Sequence, residues 1–219
     1  TPTPIQAQTI PAVLMMRDLI GIAQTGTGKT ASFVLPMIDV LAHGRAKARM
    51  PRSLILEPTR ELAAQVAENF EKYGKNHKLS MALLIGGVSM GDQIKALEKG
   101  ADVLIATPGR LMDLFERGKI MLNMCSLLVI DEAHCISDWG HDFRPDYRRI
   151  RTLIGELGAQ TPVLATTATA NNRVVEDVAA QLGVGGADTL VLRGGLDRQS
   201  LHLSVVQIPG AAQRAAWIG

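Results

Sequence analysis

Residues 23–30 read Ala-Gln-Thr-Gly-Thr-Gly-Lys-Thr, an order of small, basic and hydroxyl side chains that suits phosphate chemistry. Gly26 and Gly28 allow the backbone to curl so that successive N–H groups face an anion. Lys29 can place its ammonium against terminal phosphates, and the Thr30 hydroxyl can ligate Mg²⁺. The stretch therefore predicts a loop that binds nucleotide phosphates, formed by Ala23, Gln24, Thr25, Gly26, Thr27, Gly28, Lys29 and Thr30. Ala23 stands where the usual pattern has Gly.

Two adjacent carboxylates, Asp131 and Glu132, follow the uniformly apolar run Leu127–Ile130. A nucleotide bound with Mg²⁺ needs an acid near its phosphates, and we expect Asp131 to hold the metal together with Thr30. Glu132 is the candidate general base that orients and deprotonates an attacking water, with Lys29 and Asp131 as the other catalytic residues. The alternative is an acidic helix start favoured by the helix dipole. That alternative does not explain why the pair follows a buried strand in a chain with a phosphate loop.

Seven apolar runs rich in β-branched residues alternate with longer segments of helical periodicity. The runs are continuous, which is typical of strands covered on both faces. The pattern predicts an α/β fold, a doubly wound and mainly parallel sheet with helices on both faces, whose strand ends carry the polar residues. The predicted strands are Leu19–Ile22, Leu54–Leu56, Met81–Ile85, Val103–Ala106, Leu127–Ile130, Val163–Ala165 and Leu190–Leu192.

Residues 1–124 carry five motifs, in order, that resemble the first lobe of DEAD-box RNA helicases. Thr3-Pro4-Ile5-Gln6 resembles the family's Q motif, and residues 23–30 resemble motif I. The stretches 58–62, 86–87 and 107–110 are similar to motif Ia, the GG doublet and motif Ib. The resemblance implies a RecA-like P-loop NTPase lobe that binds ATP with Mg²⁺, with Gln6 reading the adenine. It also implies that one nucleic-acid strand is held by Pro58, Thr59, Arg60, Gly86, Gly87, Thr107, Pro108, Gly109 and Arg110.

Residues 125–219 resemble RecQ-type DNA helicases instead, so that the chain has the pattern of a hybrid. His134 stands where a DEAD-box protein has Asp. Residues 135–147 are similar to the aromatic-rich loop of RecQ proteins. Residues 164–170 are similar to motif III of those proteins, and residues 196–201 to the segment by which the chain leaves their first lobe. This resemblance implies contacts to single-stranded nucleic acid from Trp139, Phe143 and Arg144, and coupling of the two sites by His134, Thr167 and Thr169.

Each of these later residues has an ordinary structural alternative. Phe143 and Tyr147 can pack beneath the following helix, and for Tyr147 we favour packing. His134 can be a hydrogen-bonded loop histidine, and Thr167 and Thr169 can cap a helix that begins near Asn171. Because the first half of the chain argues for RNA and the aromatic loop for DNA, the sequence leaves the choice of nucleic acid open. It also leaves open whether the junction between the DEAD-box-like and the RecQ-like parts is natural or engineered.

Composition sets broad limits on the protein class. The chain has 219 residues, 47% of them hydrophobic, and a net charge of +2, which is typical of a globular domain and too small to imply nucleic acid by itself. No apolar run approaches the roughly 20 residues that span a bilayer, so we expect a cytoplasmic protein without membrane contact. Residues 1–219 are expected to form a single domain.

The function expected from the sequence is that of the ATP-binding lobe of a nucleic-acid helicase, an ATP hydrolase acting on single-stranded or duplex RNA or DNA. Helicases of both families need a second RecA-like lobe, which is not present in these 219 residues. We therefore expect weak ATP hydrolysis without unwinding. The alternative is a binding module that uses ATP only to clamp nucleic acid, without productive hydrolysis.

Overall fold

The computed structural model describes residues 1–43, 50–137, 145–157, 160–168, 171–183 and 189–194. The strands are β1 (Leu19–Ile22), β2 (Ser53–Leu56), β3 (Met81–Leu84), β4 (Val103–Ala106), β5 (Leu127–Ile130), β6 (Val163–Thr167) and β7 (Leu190–Arg193). The helices are α1 (Pro4–Leu14), α2 (Lys29–Ala42), α3 (Arg60–Gly74), α4 (Met90–Lys99), α5 (Pro108–Glu116), α6 (Pro145–Arg148), α7 (Ile150–Ile154) and α8 (Asn172–Leu182), and a 3₁₀ turn spans Ala133–Ile136.

The seven strands in the described part of the chain form one sheet in the order β3-β4-β2-β5-β6-β1-β7, and every pair is parallel. This confirms the α/β class and the parallel sheet expected from the sequence. Because all strands run the same way, the segments that follow them meet along one edge. The loop after β1 and the acidic pair after β5 are separated there only by the end of β6.

Both faces of the sheet are buried, which explains why the strand sequences are continuously apolar. Alternate residues point to opposite faces. Ile55 and Val129 belong to the apolar cluster beneath α1, α2 and α3, whereas Leu56 and Ile130 belong to the cluster that includes α5, α7 and α8. The helices therefore cover both faces, as expected for a doubly wound sheet.

The helices begin and end at local signals in the sequence. In α3, Val66 and Phe70 are buried one turn apart on the same face, while Leu62 is half-buried and Ala63 and Ala67 complete the contact. The Thr59 side chain caps α3 by accepting a hydrogen bond from the Leu62 N–H. Within the described residues, no helix has the length and apolar character needed to cross a membrane.

Candidate functional site

The phosphate-type loop connects β1 to α2 and contains two left-handed glycines. Gly26 has φ +83°, and Gly28, which precedes the first residue of α2, has φ +86°. Among the described residues, no side chain caps this helix start. The first backbone N–H groups of this fourteen-residue helix, which lie at the positive end of its dipole, are therefore available to donate hydrogen bonds to a bound anion. Lys29 and Thr30 stand in this first turn, Lys29 buried and Thr30 half-buried.

Gln6 ties the start of α1 to this loop. Its Nε2 donates to the Gly28 carbonyl oxygen over 3.1 Å, and its Oε1 accepts from the Thr3 N–H over 3.0 Å. Thr3 in turn accepts from the Gln6 N–H, which completes a capping box. The predicted adenine-reading side chain therefore lies directly beside the loop, and adenine recognition by Gln6 stays a prediction.

The contact between Gln6 and Gly28 predicts different effects for two glycine substitutions. Gly28→Ala would put a Cβ 2.3 Å from Gln6 Nε2, whereas Gly26→Ala meets nothing within 4 Å, although both residues have positive φ. We expect Gly26→Ala to cost about 1–2 kcal/mol in the free energy of unfolding, from the left-handed backbone alone. Gly28→Ala should cost about 0.5–1.5 kcal/mol more, because displacing Gln6 Nε2 also breaks its hydrogen bond to the Gly28 carbonyl oxygen.

Thermal and urea unfolding of the two variants measure this difference. Adding Gln6→Ala to each variant is the control, since it removes the steric conflict only at Gly28. Equal losses for Gly26→Ala and Gly28→Ala would contradict the inferred contact.

Asp131 lies at the end of β5 in a buried, hydrogen-bonded position. Its Oδ1 accepts from the Thr166 hydroxyl and, over 3.0 Å, from the Glu132 N–H. Its carbonyl oxygen accepts from the buried Tyr147 hydroxyl over 3.1 Å. Burial raises the pKa of the Asp131 carboxyl, and the charge of Lys29 opposes that rise. The packing role favoured for Tyr147 is confirmed by these contacts.

Glu132 faces the phosphate loop. Its φ of +48° is uncommon for a residue with a side chain and directs the chain into the 3₁₀ turn. Its carboxylate lies 3.3 Å from Lys29 Nζ and 3.3 Å from His134 Nδ1. Burial acts to raise the pKa of Glu132, but the hydrogen bond from His134 and the charge of Lys29 outweigh burial and hold the pKa at about 2.

His134 bridges the acidic pair and the end of β6. Besides its contact with Glu132, its Nδ1 lies 2.8 Å from the Thr167 hydroxyl. Thr167 is a buried residue of β6, and α8 is capped by Asn171, whose side chain accepts from the Val174 N–H. The capping alternative for Thr167 is therefore wrong, whereas the coupling roles of His134 and Thr167 stay predictions. Thr169 lies outside the described residues.

Thr166 is a contact of the acidic pair that the sequence analysis missed. The signal was present, because β6 lies between β1 and β5 and ends in consecutive threonines, but only the strand order shows that Thr166 reaches Asp131.

The predicted nucleic-acid residues of the first half converge on an open cleft of about 710 Å³. It lies where α3 and α5 begin, and eight of the nine predicted residues line it: Pro58, Thr59, Arg60, Gly86, Thr107, Pro108, Gly109 and Arg110. Gly87 lies against the Arg60 side chain, since a Cβ there would be 2.3 Å from Nη1. Trp139, Phe143 and Arg144 lie outside the described residues.

The cleft carries charges of both signs. Its bases are Arg60 and Arg110, and its acids are Glu61, Asp113 and Asp146. Asp113 is paired with Arg117 over 2.6 Å. A Cβ at Gly109 would lie 3.2 Å from Asp146 Oδ2, so the Asp146 carboxylate stands at the start of α5. Tyr147, which lines the same cleft, connects it through its hydroxyl to Asp131.

These residues fit a nucleotide with Mg²⁺. The start of α2, Lys29 and the glycine loop supply donors for phosphates. Among the described residues, no three His, Cys, Asp or Glu side chains form a metal site by themselves. Proteins usually hold Mg²⁺ through one or two carboxylates together with substrate phosphates and water. Asp131 is the carboxylate available for this purpose, and Thr30 the hydroxyl.

Comparison with known proteins identifies relatives for most of the chain. A sequence model of the DEAD/DEAH box helicase family matches residues 3–178. The chain is 41% identical over 199 residues to DEAD-box ATP-dependent RNA helicase 40 of Arabidopsis thaliana, a match that covers 87% of this chain and 18% of the relative. It is 39% identical over 212 residues to DEAD-box ATP-dependent RNA helicase 14 of the same plant, covering 94% of this chain and 33% of the relative.

Solved structures share the fold. A DEAD box protein from the hyperthermophile Methanococcus jannaschii superposes with a TM-score of 0.74 at 32% identity, over 88% of this chain and 50% of that protein. The DEAD-box helicase Mss116, solved with single-stranded RNA and UDP-BeF, superposes with a TM-score of 0.77 at 29% identity, over 88% of this chain and 40% of that protein. These matches confirm the RecA-like fold predicted from the motifs.

The matches also bear on the hybrid pattern, in which residues 125–219 were expected to be of RecQ type. The stretch matched by the family model continues to residue 178, well into the part that resembles RecQ proteins. The comparisons therefore do not support the RecQ-type assignment of residues 125–219. The chain spans only about a fifth to a third of the two plant relatives.

Proposed function

Because the chain belongs to the DEAD/DEAH box helicase family, we propose that its 219 residues form the ATP-binding lobe of an ATP-dependent RNA helicase. The observation that carries this proposal is the 3.3 Å pair between Lys29 of the phosphate loop and Glu132 of the acidic pair. It brings a phosphate-binding cation and a candidate base, 103 residues apart in sequence, to one site.

In this proposal Lys29 and the N–H groups at the start of α2 bind the β- and γ-phosphates of ATP, and Gln6 contacts the adenine. Asp131 and Thr30 would hold Mg²⁺, which would supply charge stabilisation at the transferred phosphoryl group. Glu132 orients the attacking water and accepts its proton. His134 and Thr167 connect Glu132 to β6, which supports a role for both residues in coupling.

RNA is the nucleic acid that we propose for the cleft at the starts of α3 and α5. The basis is the family and the eight converging residues. Single-stranded DNA, the substrate implied by the resemblance to RecQ proteins, is the alternative, with Trp139, Phe143 and Arg144 as its proposed contacts.

Competition between matched RNA and DNA single strands tests this choice. The purified chain, with a non-hydrolysable ATP analogue and Mg²⁺, is titrated with labelled RNA at two fixed salt concentrations, because phosphate contacts make affinity salt-dependent. We expect RNA to compete more strongly than DNA. Equal or stronger competition by DNA overturns the RNA assignment.

The activity of the whole helicase is a separate proposal. We propose that residues 1–219 are one domain and that a second RecA-like lobe is needed for efficient turnover, since arginines contributed in trans account for about 10³–10⁵ in rate in related phosphoryl transfer. The 219-residue chain should hydrolyse ATP slowly and should not separate a duplex. Efficient strand separation by this chain in a fluorescence unwinding assay would contradict the proposal.

A clamp without productive hydrolysis is the second candidate. The low pKa of Glu132 favours it, because a carboxylate with a pKa of about 2 is a weak base. RNA-dependent release of inorganic phosphate above the rate without RNA would exclude the clamp.

Asp146 predicts a measurable effect on nucleic-acid binding. Its carboxylate stands at the start of α5, where a phosphate of the bound strand would otherwise benefit from the helix dipole. We expect Asp146→Asn to strengthen RNA binding about 3- to 10-fold at low salt and less at high salt. Asp113→Asn is the matched control, since Asp113 lines the same cleft but is paired with Arg117. A larger gain for Asp113→Asn than for Asp146→Asn would contradict the assignment.

A further inference from the structure

Glu57 is a buried carboxyl group to which the proposed mechanism gives no role. It follows β2 directly and is 0% exposed. Within the described part of the chain, neither of its carboxyl oxygens has a hydrogen-bond partner. Buried polar side chains in folded proteins are nearly always hydrogen-bonded, to protein or to water.

The register of the sheet brings Glu57 beside Asp131. Leu56 pairs with Ile130 in the parallel ladder between β2 and β5, so the next residues along the two strands are abreast of each other. Ile55 and Val129 point to the face covered by α2. Two residues further along, Glu57 and Asp131 point to that same face, because side-chain direction alternates along a strand. Glu57 therefore lies on the side of the sheet that carries the phosphate loop.

The electrostatic surroundings agree with this position. Burial raises the pKa of Glu57 well above its usual range, and the carboxylates of Asp131 and Glu132 raise it further, while Lys29 opposes them. All three residues belong to the proposed nucleotide site. Glu57 thus lies within electrostatic reach of the residues that would bind phosphate and metal.

A purely structural role leaves the burial of this group unexplained. An unpaired buried carboxyl costs stability, and an apolar side chain of similar size at the same place would not. A group that arrives with the ligand would give this carboxyl the partner that it lacks among the described residues. Proteins place Mg²⁺ with several of its waters retained, and outer hydrogen-bond partners hold those waters.

We propose that Glu57 is a third carboxyl of the nucleotide site, which hydrogen-bonds a water of the bound nucleotide–Mg²⁺ complex beside Asp131. This inference rests on the proposed function, since it assumes that the site binds Mg²⁺ with a nucleoside triphosphate. In this proposal the segment that follows β2 serves both sites. Glu57 contacts the nucleotide site, and the next three residues, Pro58, Thr59 and Arg60, line the nucleic-acid cleft.

Nucleotide binding by Glu57→Met and Glu57→Gln tests the proposal. A fluorescent ATP analogue is titrated into each protein with Mg²⁺ and, separately, with EDTA. We expect Glu57→Met to lose about tenfold in affinity with Mg²⁺ and less than about twofold with EDTA, because loss of an outer hydrogen-bond partner typically costs metal sites 10- to 100-fold. Glu57→Gln keeps a donor and an acceptor and should stay within about threefold of the wild type. Glu68→Gln, at an exposed carboxyl of α3 that does not line the cleft, is the control and should not change.

Unfolding of the ligand-free proteins supplies the second measurement. Glu57→Met should melt at or above the temperature of the wild type, because it removes an unpaired buried polar group. Affinity for Mg²⁺-nucleotide equal to the wild type overturns the proposal. A lower melting temperature also overturns it, since it would mean that the protein itself satisfies the carboxyl. A wild-type chain that binds no nucleotide would instead refute the proposed function.

Discussion

Glu132→Gln is expected to slow ATP hydrolysis about 10²- to 10⁴-fold while nucleotide binding is kept or strengthened. The amide cannot accept the proton of the attacking water. Binding should improve because the Glu132 carboxylate, which lies 3.3 Å from Lys29 Nζ, competes with phosphate for that ammonium in the ligand-free protein. The amide ends this competition.

The same pair explains how a carboxylate with a pKa of about 2 can act as a base. The charge of Lys29 is one of the influences that lower the pKa of Glu132. When Lys29 turns to a phosphate, part of that influence is withdrawn, and the basicity of Glu132 increases in the complex in which it is needed. We therefore expect the base to be activated by nucleotide binding.

Phosphate release and fluorescent-nucleotide binding, measured on the same protein preparations with and without RNA, check the prediction for Glu132→Gln. Glu68→Gln is the matched control, since it makes the same chemical change at an exposed position of α3 outside the cleft. If Glu132→Gln and the wild type release phosphate equally slowly and both retain RNA, hydrolysis does not depend on Glu132 and the clamp is the better description.

The parts of this site that local sequence determines were predictable. The loop at 23–30 needs glycines at the left-handed positions, and the strand before it and the helix after it have strong local signals. The strand β5 was predicted with its observed bounds, because a short run of large apolar residues between polar segments has few alternatives in a parallel sheet. The acidic pair after it was therefore expected at the same edge.

The contacts that depend on strand order were not predictable. Thr166 reaches Asp131 only because β6 lies between β1 and β5, and Glu57 stands beside Asp131 only because β2 is the other neighbour of β5. Neither neighbour follows from the sequence spacing, since β2 and β5 are separated by two other strands along the chain. Asp146 likewise reaches the start of α5 through tertiary packing.

Lys29→Met is expected to weaken nucleotide binding about 30- to 4,000-fold, since removing one partner of a buried charge contact costs about 2–5 kcal/mol and each 1.4 kcal/mol is tenfold. It should also destabilise the ligand-free protein by about 2–3 kcal/mol, because Lys29 is the cation paired with Glu132 and both side chains are largely buried, at 9% and 19% exposed. The methionine preserves the length of the side chain, so the loss reports on charge.

The pH dependence of this destabilisation has a definite sign. In the wild type the pKa of Glu132 is held at about 2, below its value of about 4.3 in an unfolded chain. A lowered pKa contributes stability that is present above the unfolded pKa and is lost as the pH falls through the folded one. Lys29→Met removes part of that contribution, so its deficit relative to the wild type should be largest above about pH 5 and should shrink as the pH falls toward 2.

Urea unfolding of wild type, Lys29→Met, Glu132→Gln and the double variant between pH 3 and pH 8 separates the two roles of the lysine. If the pair stabilises the fold, the double variant will be more stable at pH 8 than Lys29→Met, because no unpaired carboxylate remains at position 132. It will still bind nucleotide as poorly as Lys29→Met, since the cation that meets the phosphates is absent from both. A deficit that stays constant with pH would assign the stability loss to packing of the lysine stem and not to its charge.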